Sequence, residues 1–126
     1  MEIKLVNVTY KNLFEKINVN FEVGQINVIV GKNASGKTSI LNLIFGTNLN
    51  FQGKICIGKS IIEKKTKSNN IKKLRKNISY LKQDYLNDLF NVNILEDIKY
   101  GISNFDEIKL YDLLKLFDLK EDILKN

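Results

Sequence analysis

Residues 31–38 have the types and the spacing of a phosphate-binding loop. They read Gly-Lys-Asn-Ala-Ser-Gly-Lys-Thr and fit the pattern G-x-x-x-x-G-K-[ST], known as Walker A. Gly31 and Gly36 lack a Cβ atom, so the backbone can curl and bring its N–H groups close to phosphate oxygens. Lys37 can reach the β- and γ-phosphates of a nucleotide, and the hydroxyl of Thr38 can bind Mg²⁺. The pattern therefore predicts a site for a nucleotide with its metal ion.

The segments on either side of this loop predict the strand–loop–helix context that the motif requires. Residues 25–30 are apolar and β-branched, which indicates a buried strand. In residues 39–46 three aliphatic side chains fall on one helical face, and Gly46 predicts the end of that helix. A helix that starts near Gly36 would aim the positive end of its dipole at the same anion. This context argues against a chance match in a lysine-rich turn.

Composition limits the class of protein. A chain of 126 residues suits one globular domain with one modest core. Its apolar runs are too short to span a bilayer, and the N-terminal residues do not resemble a secretion signal. The single cysteine, Cys56, fits a reducing compartment, and its apolar neighbours predict a place in the core. We therefore expect a cytoplasmic protein.

The net charge of +6 is concentrated in residues 54–76, which hold nine basic residues and one acidic residue. Nucleic-acid binding through this stretch is one hypothesis. Few aromatic residues are available there for base stacking, so we expect no nucleic-acid partner. A solvated face in a lysine-rich chain is the plainer interpretation, and attraction to anionic lipid is a weaker hypothesis.

Apolar patterns predict the remaining elements. Further strands are predicted at residues 2–10, 17–23, 53–57 and 78–81. Helices are predicted at residues 71–76, 94–100 and 118–126, and after Asp106, which would cap a helix with a wide apolar face. Residues 61–70 are charged and weakly patterned, which indicates a solvated loop or a short ragged strand.

In this order the motifs resemble the N-terminal part of the nucleotide-binding domain of an ABC transporter, over about residues 3–124. Tyr10, at the end of the first strand, resembles the A-loop aromatic of that family, which stacks on adenine. Gln83 resembles the Q-loop glutamine, whose amide oxygen reaches Mg²⁺ or the attacking water. The runs at residues 74–84 and 89–101 resemble the exporter branch of the family.

The resemblance implies an α/β fold of the P-loop NTPase type, incomplete in this chain. It would have an antiparallel β edge, the strand–loop–helix unit of Walker A and the start of a helical subdomain. Residues 1–84 would form the ATP-binding core portion, and residues 85–126 the Q-loop and the first part of the helical subdomain. The implied cofactors are ATP and Mg²⁺. The residues implied to contact nucleotide are Tyr10, Gly31, Lys32, Asn33, Ala34, Ser35, Gly36, Lys37, Thr38 and Ser39. Thr38 and Gln83 are implied to bind the metal, and Lys37 and Gln83 to take part in catalysis.

Three motifs of the family do not occur in the chain. The signature LSGGQ is absent, and so is a histidine that could serve as the switch residue. Residues 113–118 come nearest to a Walker B strand, but they contain Lys115 and are followed by Leu119 rather than a carboxylate. We therefore expect no ATPase turnover by this chain alone. We also expect marginal stability, because the family places the Walker B strand beside the Walker A strand.

The function implied by the resemblance is ATP binding in a transporter that couples hydrolysis to export across a membrane. The partners would be a transmembrane subunit or domain, which would meet apolar residues between 86 and 98, and a second ABC domain. The chain would lie on the inner face of the cell membrane, with the membrane domain on a separate chain because Met1 directly precedes the first strand. Alternatives are an ABC-type ATPase of DNA repair or maintenance, and a truncated regulatory module that binds nucleotide. A GTPase is disfavoured because the guanine-binding motif of that class does not occur in the chain. A small-molecule kinase is disfavoured because it would need several arginines, and the chain has only Arg75.

Overall fold

A computed structural model of the chain describes residues 1–83, 91–100 and 102–125. The chain forms two compact units, Met1–Tyr80 and Leu81–Asn126. The division predicted between residues 84 and 85 lies outside the described residues and stays a prediction.

The first unit contains an antiparallel sheet of four strands in the order β2-β1-β3-β4. The strands are β1 (Ile3–Tyr10), β2 (Phe14–Phe21), β3 (Gln52–Ile57) and β4 (Ser60–Ile62). The strands predicted at residues 2–10, 17–23 and 53–57 are thus confirmed, the second with bounds shifted toward the N-terminus. β4 corresponds to the start of the stretch for which a loop or a ragged strand was the expectation. The prediction of an α/β fold with an antiparallel edge is confirmed.

Two helices pack their apolar residues into the same core as the sheet. They are α1 (Lys37–Ile44) and α2 (Ser68–Arg75). The most deeply buried side chains are Leu5, Val8, Leu43, Ile55, Ile57 and Ile62. Gly46 follows α1 with a φ of 70°, which confirms its predicted role in ending the helix. α2 is longer than the single turn predicted at residues 71–76, because it begins at Ser68 and buries Ile71 and Leu74.

Arg75 connects α2 to the end of α1. Its Nε atom donates a hydrogen bond to the carbonyl of Phe45 at 3.1 Å, and a terminal nitrogen donates to the carbonyl of Gly46 at 2.9 Å. The guanidinium also lies 4.8 Å from the centre of the Phe45 ring. The one arginine of the chain therefore supplies donors to carbonyl groups that a helix end leaves without partners.

Two predicted strands are wrong. Residues 25–30 form no strand among the described residues, and Ile26, Val28 and Val30 are 94%, 74% and 83% exposed. Residues 78–81 form none either, although Ile78 packs against the core. A strand needs the backbone of a neighbour to complete its hydrogen bonds, and the described residues offer neither segment such a neighbour. Apolar, β-branched composition alone therefore gave the wrong element.

The core position predicted for Cys56 is also wrong, because the side chain is only half-buried. Its neighbours Ile55 and Ile57 point into the core. Successive side chains of a strand point to opposite faces, so Cys56 lies on the outer face of the sheet, paired with Lys4 and Ile61.

The second unit contains α3 (Ile94–Lys99), α4 (Glu107–Leu116) and a 3₁₀ helix, Glu121–Lys125. The carboxylate of Asp106 accepts a hydrogen bond from the backbone N–H of Lys109 at 3.2 Å, which confirms the predicted cap. A small core is formed by Leu110, Leu114 and Leu124. The wide apolar face predicted for α4 is buried only in part, since Ile108 and Phe117 are exposed. In the described parts of the chain, no helix has the length and apolar character that crossing a membrane requires.

Candidate functional site

The phosphate loop, residues 31–38, curls tightly before α1 begins. Ala34 and Gly36 both have positive φ angles, of 63° and 96°. The backbone N–H of Ser35 donates a hydrogen bond to the carbonyl of Lys32 at 3.3 Å and closes a turn. Because a side chain at positive φ is disfavoured by roughly 1–2 kcal/mol, Ala34 is held in a strained conformation. The curl predicted from the glycine spacing is present.

The N-terminus of α1 is open to an anion. Its N-cap residue is Gly36, which has no side chain to accept from the first N–H groups, and the first turn carries no acidic residue. The initial N–H groups of a helix have no partner within the helix, and the dipole gives that end a partial positive charge. This end of α1 therefore attracts negative charge through its backbone, as phosphate binding requires.

A close contact explains why glycine occupies the second fixed position of the loop. A Cβ atom on Gly36 would lie 2.4 Å from Cζ of Phe14, whereas one on Gly31 would meet only Oγ of Ser35, at 2.6 Å, which can rotate away. The ring of Phe14 thus packs directly against the backbone of the loop. Gly36 leaves room for this packing as well as for the curl.

The side chain of Lys37 folds back on the start of the phosphate loop. Its Nζ atom donates hydrogen bonds to the carbonyls of Gly31 at 2.9 Å and Lys32 at 2.8 Å, and the side chain is half-buried. An ammonium has three donors, so it can keep contact with the loop while it turns toward an anion. The charge that would meet a phosphate is therefore already held at the loop.

Two cavities lie near the loop. The smaller, of about 150 Å³, is lined by Leu13, Ala34, Gly36, Lys37, Thr38 and Ser39. The larger, of about 430 Å³, lies at the turn between β1 and β2 and is lined by Thr9, Lys11, Asn12, Leu13, Phe14, Glu15, Lys16 and Gln52. Leu13 borders both cavities, so the β1–β2 turn reaches the phosphate loop. A group attached to a bound phosphate would have more space in the larger cavity than in the smaller one.

Tyr10 lies in the core rather than at the surface. Its side chain is 6% exposed, and its hydroxyl accepts a hydrogen bond from the amide of Asn48 at 3.0 Å. Its ring stacks on Phe14 with centroids 6.4 Å apart, so Tyr10 reaches the loop through that residue. Stacking on adenine would require the ring to leave this position, and the adenine role stays a prediction.

Of the predicted site residues, those of residues 31–39 and Tyr10 belong to the first unit, and Gln83 belongs to the second, where it is exposed. The hydroxyl of Thr38 is exposed beside the smaller cavity, as a ligand of Mg²⁺ needs to be. The open N-terminus of α1, the curled loop that contains Gly31 and Gly36, and the ammonium of Lys37 fit the phosphates of ATP with their metal. The runs compared with the exporter branch include residues 84–90 and 101, which lie outside the described residues.

Sequence reasoning missed three residues around the site. Phe14 packs under Gly36, Leu13 borders both cavities, and Asn48 fixes the hydroxyl of Tyr10. Leu13 and Phe14 follow the turn at Lys11 as an adjacent apolar pair, and that pair was a signal for both residues. Asn48 lies in a polar loop and gave no signal.

Comparison with known proteins gives a consistent result. Residues 14–125 match the family described as ABC transporter. The chain is 31% identical over 114 residues to the energy-coupling factor transporter ATP-binding protein EcfA2 of Bacillus subtilis, covering 86% of this chain and 41% of that protein. It is 30% identical over 114 residues to ABC transporter B family member 13 of Arabidopsis thaliana, covering 90% of this chain and 9% of that protein. It is 29% identical over 139 residues to EcfA2 of Streptococcus thermophilus, covering 98% of this chain and 49% of that protein.

The chain thus spans less than half the length of these relatives. Their names favour a transporter over a DNA-repair ATPase. The match extends from the first residue of β2 through the phosphate loop and into the second compact unit. The phosphate loop agrees with this match, and the match over most of the chain's length shows that the chain belongs to the ABC transporter family.

Proposed function

We propose that the chain binds MgATP at the phosphate loop as part of the ATP-binding component of an ABC transporter. The observation that carries this proposal is the open N-terminus of α1 beside a curled glycine loop, with the ammonium of Lys37 held at its carbonyls. Donors and positive charge converge where phosphates would lie, and no acidic residue in the first turn of α1 opposes them.

Each residue of the loop would contribute one kind of interaction. Backbone N–H groups of residues 31–38 would donate to phosphate oxygens, and Gly36 would let them approach closely. Lys37 would exchange one of its carbonyl acceptors for a phosphate oxygen and neutralise charge there. Thr38 would hold Mg²⁺ through its hydroxyl. For Gln83, a role as a metal ligand is proposed only from its resemblance to the Q-loop glutamine. The bound metal would supply charge neutralisation between the phosphates.

Nucleotide binding by the whole chain tests the proposal. Titration with a fluorescent ATP analogue in the presence of Mg²⁺ should saturate at one site. Lys37→Ala should weaken binding by about 10- to 100-fold, because a hydrogen bond to a charged group contributes roughly 1.5–3 kcal/mol. Lys72→Ala, which removes an exposed lysine of α2, is the matched control and should change the dissociation constant less than twofold. Equal weakening by both variants would overturn the site.

We further propose that the complete transporter exports its substrate, with a transmembrane subunit or domain and a second ABC domain as partners. The exporter-like runs support the direction, the names of the relatives support only a transporter, and the chain would lie on the inner face of the membrane. The test is directional transport by the assembled protein in inverted membrane vesicles. ATP-dependent accumulation inside the vesicles supports export, and ATP-dependent loss from preloaded vesicles contradicts it.

Hydrolysis is not proposed for this chain alone. It carries neither a Walker B carboxylate nor the signature motif, and phosphoryl transfer depends on such positioned groups. Phosphate release by the purified chain should therefore equal that of Lys37→Ala. Turnover that Lys37→Ala abolishes would contradict this expectation.

A further inference from the structure

The first unit carries a strongly basic stretch of chain that lies outside the phosphate loop. It comprises the turn between β3 and β4, the loop after β4, α2 and the residue that follows α2. We call it the basic edge, and it consists of seven exposed lysines: Lys59, Lys64, Lys65, Lys67, Lys72, Lys73 and Lys76. In the part of the chain that the structure describes, none of the seven forms an ion pair.

The other two basic residues of this stretch already have protein partners. Lys54 pairs with Glu63 at 3.5 Å, and Arg75 donates to the carbonyls that follow α1. Glu63 is the one carboxylate between residues 54 and 76, so this stretch has none left to compensate the seven lysines. The positive charge of the basic edge is therefore available to an external partner.

A lysine-rich composition does not by itself explain this surface. Outside residues 54–76 the chain has eleven basic and thirteen acidic residues, so lysines elsewhere are balanced. The excess of positive charge belongs to one continuous stretch of the first unit. Such separation of charge favours a surface with an anionic partner over a uniformly solvated face.

The basic edge also has a cavity and an apolar contact. A cavity of about 270 Å³ between β4 and α2 is lined by Lys59 from the strand turn and Lys73 from the helix. Three neutral polar side chains line it as well: Ser60, Thr66 and Asn70. Ile61 borders the same cavity and is 54% exposed, because its neighbour Ile62 points into the core.

We propose that the basic edge docks on an anionic lipid bilayer. The cavity would take the phosphate of a lipid headgroup between Lys59 and Lys73, and Ile61 would reach the acyl chains. Each lysine near such a surface gains from its negative potential, and an aliphatic side chain gains from leaving water. This docking does not depend on nucleotide binding.

A nucleic acid is the less suitable anionic partner. Residues 54–76 contain no aromatic side chain on which a base could stack. Exposed Ile61 would gain nothing from a phosphodiester backbone, whereas it can enter the apolar part of a bilayer. Both features favour the lipid surface.

The test is sedimentation of the whole chain with phosphatidylcholine vesicles that contain or lack phosphatidylserine. We expect binding only when phosphatidylserine is present, and its loss when added salt shortens the Debye length from about 10 Å to about 3 Å. Lys64→Gln/Lys65→Gln/Lys67→Gln should weaken binding roughly a hundredfold. Ile61→Ser should weaken it by up to about tenfold at unchanged charge.

The matched control removes the same charge from the second unit. Lys109, Lys115 and Lys120 are exposed there, and their joint substitution by Gln should leave most vesicle binding intact. Equal loss in both triple variants would overturn the proposal, as would equal binding to neutral vesicles. A third outcome would point to nucleic acid and would also overturn the proposal. In that outcome duplex DNA displaces the chain from vesicles, and Ile61→Ser leaves DNA binding unchanged. ATP binding by every variant, measured separately, should stay within twofold of the unchanged chain.

Discussion

Gly36→Ala should destabilise the first unit in two separable ways. The residue has a φ of 96°, at which alanine is strained by roughly 1–2 kcal/mol. Its new methyl group would also lie 2.4 Å from the ring of Phe14. Forcing an extra methyl into packed surroundings adds about 1–3 kcal/mol. We therefore expect a total loss of about 2–5 kcal/mol in the free energy of unfolding.

Gly24→Ala is the matched control, because it shares the strain without the contact. Gly24 has a φ of 75°, and a Cβ atom there would meet no atom within 4 Å. Gly24→Ala should therefore lower the free energy of unfolding by about 1–2 kcal/mol, from backbone strain alone. The difference between the two variants isolates the contact with Phe14.

Urea unfolding of the whole chain, followed by circular dichroism, measures both variants. An equal concentration of trimethylamine N-oxide in every sample keeps a marginally stable chain folded at the start. The midpoint of Gly36→Ala should lie below that of Gly24→Ala with the same slope. In the Gly36→Ala background, Phe14→Leu should restore part of the stability. Equal midpoints for the two alanine variants, or no restoration, would refute the packing argument.

Three further predictions concern single contacts of the structure. Arg75→Lys keeps the charge but loses the forked hydrogen bonds to two carbonyls, and urea unfolding should show a loss of about 1–3 kcal/mol; a change below the error of the midpoint would contradict this. Asp106→Ala should lower the helix content of the second unit and destabilise that unit by about 1 kcal/mol, because it removes the N-cap of α4. Asp112→Ala, inside α4 and away from the cap, should do neither, and equal effects of the two variants on circular dichroism would speak against the cap. Ile26→Thr/Val28→Thr should raise the soluble fraction of the purified chain without lowering its unfolding midpoint, because both side chains are exposed; light scattering that does not fall would count against this.

Local signals were enough to predict the phosphate loop and the helix that follows it. The spacing of Gly31, Gly36, Lys37 and Thr38 needs only local geometry, and the loop, its helix and the stop at Gly46 all follow from it. The hairpin of β1 and β2 was also predictable, since alternating side chains pair across a short turn.

β3 was predictable although it pairs with the distant strand β1, but other features that depend on distant partners were not. Residues 25–30 have a strand's composition, but a strand exists only where a neighbour supplies hydrogen bonds. The burial of Tyr10 depends on Phe14 and Asn48, and the contact with Asn48 spans 38 residues of sequence. No local pattern predicts the role of Arg75, whose side chain donates to two carbonyls 29 and 30 residues before it.

Residues 25–30 run directly into the phosphate loop, so a backbone that paired with them would also order the first residues of that loop. Strand pairing and nucleotide binding would then be coupled, and each would strengthen the other by the same factor. If about one molecule in a hundred held the segment in a binding-competent arrangement, the apparent dissociation constant would be about a hundredfold weaker than the intrinsic one. The nucleotide affinity of this chain by itself would then report the population of a β-strand as much as the chemistry of Lys37.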